Sequence, residues 1–148
     1  MLSFKKILVP YDGSDHAKKA LSMAVSLAEA SSDATLMIAT VSVPESPVET
    51  IAKQHGFVFE NTKPDPAHKN PGQLILDEAA SLVPDAIKPE LILRVGNPGS
   101  TLLTLSYEKT PDLIVVGNRG RGTIESLLMG SVSSHLVSNA RCTVLVVK

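Results

Sequence analysis

Three glycines near the C-terminus are spaced in a way that suits the binding of a phosphate group. Gly117, Gly120 and Gly130 belong to the run G-N-R-G-R-G-T-I-E-S-L-L-M-G-S, which follows the apolar residues 113–116. Glycine lets a backbone approach an anion closely because it carries no Cβ. A helix that starts at Ser131 adds free N–H groups and the positive end of its dipole. The spacing therefore indicates a nucleotide-binding site.

The glycine run differs from two common phosphate-binding loops. The chain contains no G-K-[S/T], so it has no Walker A loop, and G-x-x-G-x-G after a late strand is not the dinucleotide fingerprint. Arg119 and Arg121 are charge-assisted donors that suit a phosphate. Ser131 and Ser133 would add hydroxyls in the first helical turn. The alternative is a plain glycine-rich turn with solvated arginines, followed by an N-capping Ser131.

Two residues at the ends of other predicted strands extend the candidate site. The carboxylate of Asp12 can accept hydrogen bonds from ribose hydroxyls or reach a phosphate-bound Mg²⁺. An Asp before Gly13 is also typical of a simple turn. Val41 can offer its backbone N–H and C=O to the edge of an adenine, or it can belong to the core. The four histidines form no H-x-x-x-H pair, so a zinc site is not expected.

Apolar periodicity predicts alternating strands and helices. Short apolar runs predict strands at 4–9, 34–41, 90–95, 112–117 and 142–147. Helical spacing, with caps or prolines at the starts, predicts helices at 14–30, 71–83, 98–109 and 131–139. Residues 42–70 are Pro-rich and irregular, with at most a short helix near 48–55. The alternation predicts an α/β sandwich with a mainly parallel sheet, whose ligands bind at the carboxyl ends of the strands. Asp12, Val41 and Gly117 lie at such ends.

Length and composition favour a single globular domain, 1–148, that binds neither nucleic acids nor membranes. The chain has 148 residues, 43% of them apolar, and a net charge of −1 from 14 basic and 15 acidic residues. This balance argues against nucleic acids and against anionic membrane surfaces as partners. A single cysteine excludes an intrachain disulfide. No apolar stretch approaches a membrane span and no signal peptide is evident, so we expect a cytoplasmic protein.

The sequence resembles the universal stress protein family. The segments that carry the resemblance are K-K-I-L-V-P-Y-D-G-S, V-G-N-P, D-L-I-V-V-G-N-R-G-R-G and L-L-M-G-S-V-S-S-H-L-V-S-N-A-R-C-T-V-L-V-V. Residues 42–90 add little to it. The spacing G-x2-G-x9-G-[S/T] is associated with the ATP-binding branch of that family. Tyr11 and the Pro-rich insert depart from the family pattern, because the residue in the place of Tyr11 is usually small.

The resemblance implies a Rossmann-like three-layer sandwich with a five-stranded parallel sheet of order 3-2-1-4-5. It implies adenine near Val41, ribose near Asp12 and Gly117, and phosphates against the glycine run and the start of the last helix. The candidate residues for ATP, ADP or AMP are Pro10, Tyr11, Asp12, Val41, Val116, Gly117, Arg119, Gly120, Gly130, Ser131, Val132 and Ser133. It also implies a homodimer through residues 143–147, an apolar edge strand that self-pairing would cover.

Three functions are consistent with these features. The first is an adenine-nucleotide-binding module in a stress response or in signalling, with little or no turnover. The second is a slow ATPase that uses Mg²⁺ held partly by Asp12. The third is a protein-interaction module that works without a nucleotide. The sequence offers no clear general base and no water-positioning residue, which fast phosphoryl transfer requires, and this favours the first function.

Overall fold

Strands and helices alternate along the chain as the apolar periodicity predicts. The computed structural model describes residues 3–44, 70–119 and 129–148. Its strands are β1 (Lys6–Pro10), β2 (Thr35–Ser42), β3 (Glu90–Val95), β4 (Leu113–Gly117) and β5 (Thr143–Val147). Its helices are α1 (Asp15–Ala30), α2 (Pro71–Ser81), α3 (Pro98–Lys109) and α4 (Ser131–Asn139). The short helix predicted near 48–55 lies outside the described residues.

The five strands form one parallel sheet in the order β3-β2-β1-β4-β5. This confirms the fold class and the strand order that the family resemblance implies. The chain runs outward from β1 through β2 to β3 and then returns to β4 on the other side of β1. The direction of winding therefore reverses between β1 and β4. In open α/β sheets this reversal leaves a crevice at the carboxyl ends of the two strands.

Each face of the sheet carries its own apolar core. Ile7 and Val9 pack with α1 and α2 on one face, whereas Leu8 packs with α3 and α4 on the other. The predicted buried face of α1 is confirmed at Ala17, Ala20, Leu21, Ala24, Val25 and Ala28. Strand β4 is buried along its whole length and β1 from Ile7 to Pro10, so helices cover both faces of these two strands. Among the described helices, none is long and apolar enough to cross a membrane.

The first strand includes Pro10, although the sequence predicts that the proline ends it. The structure pairs Pro10 with Ala39 of β2. Proline is accommodated because Tyr11, and not Pro10, donates its backbone N–H to Ala39 O, at 2.8 Å. Neighbouring residues of a strand direct their amides to opposite sides, so the missing N–H of Pro10 falls beyond the last β1–β4 pair, Leu8 with Ile114. The error therefore concerns one strand end and leaves the topology unchanged.

One helix end differs from the prediction, and the last helix has a glycine as its N-cap. Helix α2 ends at Ser81 and not at Val83, because the N–H groups of Leu82 and Val83 bond to the carbonyls three residues earlier, at 3.1 and 3.2 Å. This tighter turn precedes Pro84, which disfavours a helical conformation in the residue before it. Helix α4 begins at Ser131 as predicted, but its N-cap is Gly130.

Candidate functional site

A cavity of about 620 Å³ opens at the carboxyl ends of the strands, where the winding reverses. This volume lies in the range of small-molecule and cofactor sites, roughly 300–1,000 Å³. Its wall contains these predicted site residues: Pro10, Tyr11, Asp12, Val41, Val116, Gly117, Arg119, Gly130, Ser131, Val132 and Ser133. Gly120, like Arg121, lies outside the described residues. The structure thus brings the described candidates together, while their roles toward a ligand remain predictions.

One end of the cavity is formed by the N-terminus of α4. Its N-cap, Gly130, has no side chain with which to satisfy the first N–H groups of the helix. Gly130 N–H donates to Asn118 O at 2.7 Å, and Ser133 Oγ donates to the same carbonyl at 3.0 Å. These bonds hold the helix start against the residues that follow β4. The other described helices begin with side-chain caps, at Ser14, Asn70 and Asn97.

The glycines at this end are required by space and not by backbone conformation. Gly130 has φ −69° and ψ 160°, which any residue adopts. A Cβ on Gly130 would lie 2.9 Å from Asn118 O and 3.3 Å from Arg119 Cα. A Cβ on Gly117 would lie 2.8 Å from the backbone carbon and oxygen of His16. Gly117 therefore allows the first turn of α1 to pack directly against the end of β4.

Arg119 supplies the positive charge of the described cavity wall. Its Nε is buried and makes no hydrogen bond within the described part of the chain. A buried donor without an acceptor is costly, since it forfeits its hydrogen bond to water. Together with the uncapped N-terminus of α4, this orphaned donor fits the requirements of a bound phosphate.

Asp12 forms the turn between β1 and α1. Its Oδ1 accepts a hydrogen bond from Ser14 N–H at 2.9 Å, and Gly13 between them has φ 81°, which favours glycine. Ser14 then caps α1 by accepting from Ala17 N–H at 3.2 Å. The turn that the sequence offers as an alternative is therefore present. It is compatible with a ligand role, because Asp12 also lines the cavity.

Tyr11 is part of the core as well as of the cavity wall. It is only 2% exposed, and its hydroxyl donates to Glu78 Oε1 of α2 at 2.9 Å. Lys18 of α1 reaches the same carboxylate oxygen, at 3.2 Å. These contacts direct the phenol toward α1 and α2 and explain how the fold accommodates a residue larger than the family pattern implies.

The rest of the wall is largely apolar. The side chains that contribute to it on the α3–α4 side of the sheet are Ala39, Val41, Pro98, Leu102, Val116 and Val132. Polar groups lie at the start of α4, around Asp12, and on the β2–α2 side at Thr40, Ser42 and Asn70. The cavity can therefore receive a ligand with a flat apolar ring at one end and an anionic group at the other.

Sequence reasoning misses several residues of the wall. Thr40 lines it from β2, and the start of α2 contributes Asn70, Pro71 and Gly72. The cap and proline signals correctly predict that a helix starts at Pro71, but only the spatial order of the strands shows that this start lies at the cavity. Thr40 carries no sequence signal, because a threonine within an apolar strand is unremarkable.

The thiol of Cys142, far from the cavity, has a raised pKa. Burial raises the pKa of the Cys142 thiol above its ordinary value. A backbone hydrogen bond opposes this shift, and the negative charge of Asp112 adds to it. Cys142 immediately precedes β5, at the edge of the sheet opposite to the carboxyl ends. It is therefore no candidate nucleophile for chemistry in the cavity.

The sequence and the fold both match known proteins. The sequence profile of the Universal stress protein family matches residues 3–148. Over 146 residues the chain is 35% identical to the "universal stress protein in QAH/OAS sulfhydrylase 3′ region" of Thermus aquaticus, covering 98% of this chain and 99% of that one. The structure is similar to that of the universal stress protein UspA from Lactobacillus plantarum, with a TM-score of 0.73, 24% identity and 100% coverage of both chains. It is also similar to a universal stress protein crystallised in complex with cAMP, with a TM-score of 0.63, 30% identity and coverage of 99% and 98%.

Proposed function

The chain belongs to the universal stress protein family, and we propose that it binds an adenine nucleotide in the cavity, namely ATP, ADP or AMP, with little or no turnover. One observation carries the proposal: a single cavity joins an apolar wall to the start of a helix whose cap residue has no side chain. A related protein of 30% identity is crystallised with cAMP. The ligand of that relative, cAMP, has an adenine, a ribose and a phosphate in common with the proposed ligand.

The proposed phosphate site is the start of α4. By helix geometry, the N–H groups of Ser131, Val132 and Ser133 have no acceptor within the helix. They can donate to phosphate oxygens in the cavity in front of the helix start, aided by the helix dipole. The guanidinium of Arg119 adds charge-assisted donors, including the buried Nε. The proposal also includes Gly120, as the sequence pattern predicts.

The proposed base and ribose sites lie nearer to β1 and β2. Ala39 O accepts from Tyr11 on the β1 side of β2, and residues two apart in a strand direct their backbone groups to the same side. The N–H and C=O of Val41 therefore face the cavity beyond the end of β1, where they can pair with an adenine edge. Asp12, between Val41 and the phosphate site, is placed to accept from ribose hydroxyls.

Within the described cavity wall, the one carboxylate is Asp12. One of its oxygens already accepts a hydrogen bond from Ser14 N–H. This arrangement suits holding a nucleotide more than moving protons during phosphoryl transfer, which needs a positioned base and metal. Nucleotide occupancy would then serve as a signal or as a stabiliser in a cytoplasmic stress response. When ATP is bound, Mg²⁺ would arrive with its phosphates, in reach of Asp12.

Released nucleotide is the direct test of this function. We expect the protein, purified without added nucleotide, to release adenine nucleotide in near-stoichiometric amount on denaturation, identified by chromatography against ATP, ADP, AMP and cAMP standards. Calorimetric titration of the emptied protein should show ATP binding, with GTP bound more weakly because its base differs at the edge that faces Val41. The absence of both released nucleotide and titratable binding would favour a protein-interaction module.

Incubation with Mg²⁺-ATP separates binding from slow hydrolysis. A constant ATP level over hours supports the proposed function. Accumulation of ADP that stops in an Asp12→Ala variant would instead support a slow ATPase. The variant must be shown to retain its fold by circular dichroism, since Asp12 also stabilises the turn before α1.

We further propose that the chain forms a homodimer through β5. This strand is last in the sheet order, and its residues Val144 to Val147 remain partly exposed on the single chain. Val147 O accepts from Asn118 on the β4 side, at 2.7 Å. By alternation, Val144 and Val146 direct their backbone groups away from β4. An apolar edge whose backbone groups have no partner strand among the described residues is suited to pairing with a second copy across a two-fold axis.

Val146→Pro is expected to convert the dimer to a monomer without unfolding it. The substitution removes a backbone donor on the free side of β5 and leaves the bonds to β4 intact, which is the situation in which an edge strand tolerates proline. Sedimentation velocity at tens of micromolar protein measures the change. Val146→Ala, which shortens the same side chain and keeps the N–H, is the matched control and should remain dimeric. A monomeric wild type, or a dimeric proline variant, would contradict pairing through this edge.

A further inference from the structure

We infer that Thr40 is a positioning residue for the nucleotide site, acting on Asp12 through the carbonyl of Tyr11. This inference rests on the proposed function and adds to it a residue that neither the sequence pattern nor the family spacing contains. Thr40 lies on β2, lines the cavity and is only 3% exposed. Its side chain is therefore buried at the wall of the cavity.

The hydroxyl of Thr40 holds the last residue before the turn. Thr40 Oγ1 donates to Tyr11 O at 2.8 Å, in a contact that is fully buried. On the other side of the same residue, Tyr11 N–H donates to Ala39 O at 2.8 Å. Both backbone groups of Tyr11 are thus hydrogen-bonded to β2. Tyr11 lies one residue beyond Pro10, the last residue of β1 that pairs with β2.

Fixing this carbonyl fixes the direction in which Asp12 leaves the sheet. Tyr11 C=O and Asp12 N–H belong to the same planar peptide group, so they cannot rotate independently. Beyond it, the bond from Ser14 N–H to Asp12 Oδ1 closes the turn. Asp12 is therefore held from both sides before any ligand arrives. A site ordered in advance loses less conformational entropy on binding, which increases affinity.

Packing alone gives no reason for a threonine at this position. Valine has the same shape, is favoured in strands and would fill the same space. What valine lacks is the hydroxyl, and without it Tyr11 O would lose the side-chain donor that the structure shows. The exchange of threonine for valine is therefore a selective test of the hydrogen bond, because it changes the bond and keeps the volume.

The experiment compares Thr40→Val and Thr40→Ser with the wild type, using calorimetric titration of ATP and of 2′,3′-dideoxy-ATP. Loss of one hydrogen bond that positions Asp12 should weaken ATP binding by about tenfold in Thr40→Val. Dideoxy-ATP lacks the hydroxyls that Asp12 would accept from, so its affinity should change by less than about twofold. Thr40→Ser keeps the hydroxyl and should bind ATP as the wild type does. Added to Asp12→Ala, Thr40→Val should cause no further loss of ATP affinity.

Amide hydrogen exchange of the nucleotide-free protein supplies a second measurement. The amides of Asp12 and Gly13 should exchange about tenfold faster in Thr40→Val than in the wild type or in Thr40→Ser. Equal weakening of both nucleotides, or unchanged ATP affinity together with unchanged exchange, would overturn the inference. If the wild type binds neither nucleotide, the proposed function fails and the role of Thr40 toward a nucleotide fails with it. The exchange rates then report separately whether Thr40 orders the turn.

Discussion

Gly130→Ser is expected to weaken adenine-nucleotide binding by about 100-fold or more, although serine is the better N-cap by general rules. The reason is steric. Any Cβ at residue 130 would lie 2.9 Å from Asn118 O, so the start of α4 must move away from the end of β4. That movement stretches the 2.7 Å bond from Gly130 N–H to Asn118 O. It also withdraws the N–H groups that would hold the phosphates, each charge-assisted bond being worth about 1.5–3 kcal/mol.

Calorimetric titration with ATP measures this loss, and urea denaturation reports stability alongside it. Ser134→Ala is the matched control, because residue 134 lies in the same helical turn and its side chain is not part of the cavity wall. We expect the control to bind ATP as the wild type does. If Gly130→Ser binds ATP normally and is stabilised by roughly a few tenths of a kcal/mol, as an improved cap would be, the steric argument is wrong and α4 is not the phosphate site.

The elements of the fold could be predicted because each depends on local sequence. The helix starts at Pro71 and Pro98 follow from cap and proline signals, and the buried face of α1 follows from its helical spacing. The predicted end of β1 is wrong because the rule that proline ends a strand is local. It does not consider toward which neighbouring strand the missing N–H of Pro10 would point. That direction depends on strand pairing, which is not local.

The strand order and the full cavity could not be derived from local patterns. The strand order 3-2-1-4-5 was implied by the family resemblance. The periodicity of the residues alone does not determine the order of the strands. The contribution of Asn70 to Gly72 to the cavity depends on that order. The glycines illustrate the same limit. The sequence marks Gly130 as a turn residue or phosphate-loop residue, whereas the structure shows an ordinary φ and a shortage of space.

Gly117→Ala is expected to lower the free energy of unfolding by about 1–3 kcal/mol, the usual cost of overpacking a well-packed site. The added methyl would lie 2.8 Å from the backbone of His16. Backbone atoms in the first turn of α1 cannot swing aside as a long side chain can. Helix α1 must therefore shift along the sheet, and Asp12 and Ser14, which begin it, must shift too. We expect ATP affinity to fall together with stability.

Urea denaturation of Gly117→Ala and Gly99→Ala separates this effect from the general preference for alanine over glycine. Residue 99 lies in α3, and a Cβ there would lie 3.4 Å from the ring of His135, an ordinary contact. Gly99→Ala should therefore be neutral, or more stable by up to about 1 kcal/mol, the difference in helix propensity. The same substitution is thus expected to lower the free energy of unfolding at residue 117 and not at residue 99. Equal stabilities of the two variants would show that α1 can move to accommodate the methyl group. The close packing of β4 against α1 would then not require a glycine at residue 117.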